Sequence, residues 1–248
     1  MNKLPSITLS FWIMKICATT LGETAGDLLS MTMNVGYAYS SAILLSCFLA
    51  TLFVQLSTKY FHPIIYWAVI LSTSIAGTTM SDYMDRTLGF GYATGSVILI
   101  SLLTLTLIIW KLTEKSLSVI NINTLRGEVF YWTAILFSNT LGTAFGDFLA
   151  DNSGLGFSGG AFLISILLVL TILAYYFSKI SHVILFWLAF VLTRPFGATL
   201  GDLLTKTPEK GGLNLGTVGS SLILFTILVV LVSISTIKIN REKIRISK

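Results

Sequence analysis

The stretch FWIMKICATTLGETAGD, residues 11–27, decides the fold because the chain repeats it three more times: YWAVILSTSIAGTTMSD at 66–82, YWTAILFSNTLGTAFGD at 131–147 and FWLAFVLTRPFGATLGD at 186–202. Each copy opens on an aromatic residue followed by Trp12, Trp67, Trp132 or Trp187. Ten residues later stands Gly22, Gly77, Gly142 or Gly197. Fourteen after the tryptophan comes a small residue (Gly26, Ser81, Gly146, Gly201), and fifteen after it an aspartate (Asp27, Asp82, Asp147, Asp202). Four matches at three fixed offsets mark an internal repeat, and such a repeat fixes the architecture before any single helix is assigned.

Beyond each aspartate lies a short Asn/Gly-apolar-Gly turn: Asn34-Val35-Gly36, Gly89-Phe90-Gly91, Gly154-Leu155-Gly156 and Asn214-Leu215-Gly216. Asn and Gly tolerate positive φ, so the pattern predicts a tight connector. The fourth copy carries five extra residues around Thr207-Pro208-Glu209-Lys210, which belong in a loop. A second apolar helix follows each turn, opening with small residues such as Ser40, Gly95, Gly160 and Ser220. The units run over approximately 6–58, 59–115, 124–178 and 179–237, followed by a basic tail at 238–248. Copies one and three, like two and four, are offset by 120 residues, and the second pair shares Lys59-x-x-His62 and Lys179-x-x-His182. Two successive duplications explain this pattern.

The surrounding composition makes the units membrane helices. Hydrophobic residues are 54% of the chain and charged residues 11%, with a mean hydropathy of +0.84. Apolar stretches such as 97–110, 160–177 and 218–237 approach the roughly 17 to 25 residues that span a bilayer. The first stretch carries Glu23 and Asp27 and lacks the form of a cleavable signal, so it reads as a retained helix. The expected fold is an all-α membrane protein: eight transmembrane helices as four parallel two-helix repeats, pseudo-symmetric about the membrane normal. Cys17 and Cys47 fall inside predicted spans and suggest neither a disulfide nor a zinc site.

The net charge of +5 has a topological explanation. Eleven Lys and Arg fall on the side holding the termini and the even loops: Lys3, Lys59, Lys111, Lys115, Arg126, Lys179, Lys238, Arg241, Lys243, Arg245 and Lys248. The other side has Arg86, Lys206 and Lys210. The positive-inside rule then puts both termini in the cytoplasm, and the tail reads as an anchor rather than a nucleic-acid site. Fifteen helical residues cover about 22 Å, so the tryptophans are expected in an interfacial belt and the aspartates towards the outer half of the membrane. Asp85 and Asp151 are expected as solvated loop or vestibule charges, and His62 and His182 as ordinary surface residues of cytoplasmic loops.

Chemistry is concentrated in a polar stripe read back from each aspartate in steps of four: Asp27, Glu23 and Thr19; Asp82, Thr78 and Ser74; Asp147, Thr143 and Asn139; Asp202, Ala198 and Arg194. Residues so spaced share a helix face. The stripe holds five carboxylates against Arg194 and Lys15. Such groups in a span face the bundle interior and pair with something, and an uncompensated cluster attracts a cation or protons. Carboxylate, hydroxyl and amide oxygens without histidine suit Mg²⁺, Ca²⁺, Mn²⁺ or a proton better than Zn²⁺ or Cu⁺. The competing reading makes the aspartates helix caps or a stabilising network. Gly22/Gly26, Gly142/Gly146 and Gly197/Gly201 form small-x-x-x-small pairs suited to close helix contact. Arg194-Pro195 breaks the stripe; proline should loosen that helix, and the guanidinium could neutralise a carboxylate or hold an anionic substrate.

The four Trp-x9-Gly-x3-small-Asp units resemble a bacterial integral-membrane family of four tandem two-helix repeats of unknown function, with a signature tryptophan in each repeat. The resemblance covers nearly the whole chain and implies a bacterial cytoplasmic membrane location, but no activity. Glu23-Thr24-Ala25-Gly26-Asp27 is also similar to the Glu-x-Gly-Asp motif of manganese/calcium exchangers, with one more residue before the glycine.

The expected function is a small secondary transporter or exporter of a divalent metal cation, with proton coupling as an option, rather than an enzyme. Its ion- and substrate-binding residues would be Glu23, Asp27, Asp82, Asp147, Asp202, Thr19, Asn139 and Arg194, with the five carboxylates as metal ligands. No cofactor is expected beyond the cation as substrate. The alternatives are a transporter of a small anionic or zwitterionic solute anchored by Arg194, and a non-transporting scaffold. The lipid bilayer and a metal ion or small solute are the expected partners, nucleic acid is not, and a homo-oligomer stays open.

Overall fold

Among the described residues, eight long α-helices dominate and no strand occurs. The computed structural model describes residues 4–119 and 122–246, the side chains of 242–246 excepted. In chain order the helices are α1 Leu9–Asp27, α2 Tyr37–Ser57, α3 Pro63–Asp82, α4 Gly91–Glu114, α5 Leu125–Asp147, α6 Gly156–Phe177, α7 His182–Thr205 and α8 Thr217–Ile246. Of the basic residues assigned to the terminal side, Lys3, Lys248 and the side chains of Lys243 and Arg245 lie outside the described residues.

Local chemistry sets the helix ends. Thr8 and Thr124 cap α1 and α5, their hydroxyl oxygens accepting from Phe11 N at 3.4 Å and Gly127 N at 2.9 Å. Pro63 opens α3 in the first turn, where its missing N–H leaves no bond unmade. After the first three repeat aspartates the helix widens into a five-residue π-helical turn: Leu28–Thr32, Tyr83–Thr87 and Phe148–Asn152. The same bond closes each: Met33 N to Leu28 O at 2.9 Å, Leu88 N to Tyr83 O at 2.9 Å and Ser153 N to Phe148 O at 3.0 Å. The connectors then take the expected positive φ, at Asn34 (54°) and Gly36 (79°), Gly89 (74°) and Gly91 (72°), Gly154 (77°) and Gly156 (66°), and Asn214 (55°) and Gly216 (76°). The insertion in the fourth copy forms a 3₁₀ turn, Pro208–Lys210. Pro195 does not break α7, which continues through it.

The first helices of the repeats, α1, α3, α5 and α7, form a closed inner ring in which each packs against the next and α7 returns to α1. The second helices lie outside. Each packs against the inner helix of the following repeat: α2 on α3, α4 on α5, α6 on α7 and α8 on α1. No repeat therefore buries its own apolar faces alone, and the four close only as a circle.

The conserved spacing within the repeats explains how the inner helices fit. A Cβ on Gly22, Gly77, Gly142 or Gly197 would run into Ser74, Asn139, Arg194 or Thr19 respectively, each of which stands seven residues after the tryptophan of the next repeat. The next notch follows the same rule, with Gly26 against Thr78, Gly146 against Ala198 and Gly201 against Glu23. Small residues let the helices approach, and the approach brings the polar stripes onto the ring's axis.

Six of the eight helices (α2, α3, α4, α6, α7 and α8) are long and apolar enough to cross a membrane. The other two, α1 and α5, carry Lys15, Glu23 and Asp27, and Glu128 and Asp147, which lowers their apolar character; all five side chains are buried in the bundle. The outer helices instead expose large apolar side chains, including Phe53, Val97, Phe162 and Ile223.

Candidate functional site

Along the inner ring, side chains from equivalent positions form successive layers. At the end bearing the helix starts, each aromatic residue meets the tryptophan of the next repeat: Phe11 with Trp67 (ring centroids 5.7 Å apart), Tyr66 with Trp132 (5.6 Å), Tyr131 with Trp187 (6.3 Å) and Phe186 with Trp12 (5.8 Å). The Tyr66 and Tyr131 hydroxyls are hydrogen-bonded at 2.7 Å. This corrects the expected interfacial belt: Trp67, Trp132 and Trp187 are buried inside the bundle and Trp12 is half-buried, because the aromatic pairs pack on one another around the ring.

The next layer contains the fully buried Lys15, whose ammonium lies 4.0 Å from the Phe190 ring centroid and donates to Asn139 Oδ1 at 3.4 Å. Thr19 turns its hydroxyl to the carbonyls of Lys15, Ile16 and Thr193. Thr19 and Asn139 are thus engaged a layer away from the aspartates.

Arg194 fills the axis above them. From α7 its guanidinium reaches the other three repeats: Nη1 donates to Thr19 O and Glu23 Oε2, each at 3.2 Å, and Nη2 donates to Ser74 O at 3.2 Å, Thr78 Oγ1 at 2.5 Å and Thr143 Oγ1 at 2.9 Å. Thr78 and Thr143 also donate to Glu23 Oε2, at 3.3 and 3.1 Å. Glu23 and Arg194 are 3% and 0% exposed, so this ion pair is sealed from solvent. These contacts with all three other repeats place the guanidinium at the centre of the inner ring.

Beyond Glu23 the four repeat aspartates form a buried tier, and two basic residues bridge it. Arg86 Nε lies 2.8 Å from Asp82 Oδ1, and its Nη2 lies 3.0 Å from Asp147 Oδ2. Lys206 Nζ lies 2.5 Å from Asp27 Oδ2 and 3.1 Å from Asp202 Oδ1. Lys206 follows the last residue of α7; burial opposes its charge, but Asp202 and Asp27 outweigh burial and hold its pKa above the ordinary lysine range. One carboxylate oxygen from each of Glu23, Asp147 and Asp202 lies within 4.8 Å of the others, a spacing at which three carboxylates could share a metal ion. Asp27 and Asp82 are outside that group.

Two expectations change here. The carboxylates are better compensated than Arg194 and Lys15 alone would make them, because Arg86 and Lys206, which the sequence places beside the spans, fold back into the cluster and leave a smaller negative excess. Both occur nineteen residues after a tryptophan, one turn beyond the aspartate, where the first and third copies have Met31 and Asp151. Asp85 is buried rather than solvated: it accepts from Ser81 at 3.2 Å and lies against Gly95, where a side chain would collide with its carboxylate. Asp151 is exposed, as are His62 and His182. Sequence reasoning also passes over Gln55 and Glu128, buried near the aromatic end with Gln55 Nε2 donating to Glu128 Oε1 at 3.5 Å.

The family described as Repeat of Unknown Function (DUF347) matches the chain four times, at residues 10–60, 65–116, 130–181 and 185–238. No curated protein and no solved structure matches it.

Proposed function

The chain belongs to the DUF347 repeat family, and for this member we propose a membrane-embedded carrier that transports a divalent cation of the hard or Mn²⁺-like class. The observation that carries the reading is the Glu23, Asp147 and Asp202 group, three buried carboxylates from three repeats meeting on the axis. With every carboxylate ionised, Glu23 and the four aspartates contribute five negative charges against Arg194, Arg86 and Lys206, leaving −2 in these two layers. One divalent cation or two protons would neutralise that charge, which makes exchange of one for the other a consistent cycle.

In this proposal all eight helices cross the bilayer. The six apolar spans support it, as do the lipid-like outer faces of α2, α4, α6 and α8, which enclose the more polar α1 and α5. Lys59, Lys111, Lys115, Arg126 and Lys179 are exposed at the aromatic end, favouring a cytoplasmic position for that end and for both termini. The carboxylate tier then opens towards the outside of a bacterial cytoplasmic membrane.

A carrier fits better than an open pore. A cation leaving the aspartates for the cytoplasm would meet Arg194, then Lys15, then the aromatic layer, and a positive charge in a constriction repels cations. Crossing requires a second conformation in which the Arg194 bridge to Glu23 has opened, and a proton or metal ion on Glu23 weakens that bridge. The alternative, Arg194 as anchor for an anionic solute, has less support because five protein acceptors already occupy its Nη groups. Divalent-ion uptake into proteoliposomes, compared between the wild type and Asp147→Asn, tests the proposal.

A further inference from the structure

We infer that Arg86 and Lys206 are tethered competitors for the cation and make the site selective for divalent over monovalent ions; this rests on the cation-transport reading. The two residues hold equivalent positions in the second and fourth repeats. Each joins its own repeat's aspartate to that of the following repeat, Arg86 bridging Asp82 and Asp147 and Lys206 bridging Asp202 and Asp27. The fourfold ring is thereby reduced to a twofold charge pattern. Two of the three carboxylates that could share a metal ion, Asp147 and Asp202, are the ones these cations hold.

Their placement makes them a filter. The side chains of Arg86 and Lys206 are 32% and 16% exposed, whereas those of the four aspartates they bridge are 2–4% exposed, so the cations stand between solvent and the carboxylates. A charge on a short tether has an effective concentration on the order of millimolar or higher, against which a dissolved ion must compete. Replacing one positive charge by another gains little Coulomb energy, so Na⁺ or K⁺ does not displace the side chains. A divalent ion roughly doubles the attraction at each carboxylate and can do so. Specificity then comes from penalising the wrong ion as well as attracting the right one.

The displaced groups have places to go. The Arg86 guanidinium carbon is already 5.5 Å from the Tyr92 ring centroid and 5.8 Å from that of Tyr37, where cation–π attraction can hold it after it leaves the aspartates. Lys206 Nζ lies 3.9 Å from Met31 Sδ, and Met31 is exposed.

Calorimetric titration of the purified full-length protein with Mn²⁺, with and without K⁺, tests the inference. Lys206→Gln and Arg86→Gln should each bind Mn²⁺ about tenfold or more tightly than the wild type in K⁺-free buffer, because a tethered competitor is gone. Added K⁺ should weaken binding in these variants and leave the wild type unchanged, while Lys206→Arg and Arg86→Lys should behave like the wild type. If the glutamine variants bind Mn²⁺ equally or more weakly and show no K⁺ competition, the residues are structural and the inference is wrong. If one glutamine variant fails to fold, the other carries the same test. Wild-type protein that binds none of Mn²⁺, Mg²⁺ or Ca²⁺ overturns the transport reading itself, an outcome distinct from wild-type binding without the predicted gain.

Discussion

Arg194 Nη1 lies 3.2 Å from Glu23 Oε2, a contact that joins the fourth repeat to the first on the axis of the inner ring. Both side chains are buried, and Thr78 and Thr143 complete the cage around them. The two residues break the fourfold pattern together, each where the other copies carry small or neutral side chains.

Removing one partner leaves the other charge buried without compensation. Arg194→Leu and Glu23→Leu should each lower stability by about 3–5 kcal/mol, whereas the double replacement should cost less than the two singles added. Denaturation midpoints in detergent measure this; strictly additive losses would mean that the pair contributes no coupling.

The glycine notches should be intolerant of a single methyl group. Gly197→Ala places a Cβ against Thr19, and Gly142→Ala places one against Arg194 and the Pro195 nitrogen, so both should impair folding. Gly219→Ala, with nothing within 4 Å, is the control and should be neutral. Yield and monodispersity in size-exclusion chromatography provide the comparison.

At the aromatic end, Tyr66→Phe or Tyr131→Phe strands a buried hydroxyl that now has a partner at 2.7 Å. Each single change should cost about 1–3 kcal/mol and the double change no more than either single. Thermal unfolding of the three variants decides it.

Orientation can be read by chemical labelling. In a background lacking Cys17 and Cys47, Lys210→Cys should react with an impermeant maleimide from outside intact cells. Lys59→Cys and Lys179→Cys should react only after permeabilisation. The opposite pattern would put the carboxylate tier on the cytoplasmic side.

Much of the fold is legible in the sequence because a repeat is a redundant signal. The offsets from Trp12, Trp67, Trp132 and Trp187 fix the inner helices, and Asn34, Gly89, Gly154 and Asn214 mark the turns through their backbone freedom. The buried aspartates and Glu23 are likewise visible as costly charges in apolar helices. The tryptophans mislead, since helical depth says nothing about which way a side chain faces; only the closed ring shows that each meets an aromatic residue of the neighbouring repeat. Arg86 and Lys206 escape for a related reason. They lie one turn past the aspartates, where the spacing suggests a loop, although the stripe read forward by four residues reaches both. Asp85 has no charged counterpart, its matched positions being Ser30, Ala150 and Thr205, so no repeat argument could have revealed its burial.

The most direct test of the central claim is divalent-cation flux through purified protein in liposomes carrying an imposed ion or proton gradient, monitored with an entrapped indicator for Mn²⁺. Wild-type protein should show saturable flux, abolished by Asp147→Asn or Asp202→Asn in correctly folded protein. Wild-type vesicles no more permeable than empty liposomes to Mn²⁺, Mg²⁺ or Ca²⁺ would contradict it, as would full flux with both aspartates neutralised.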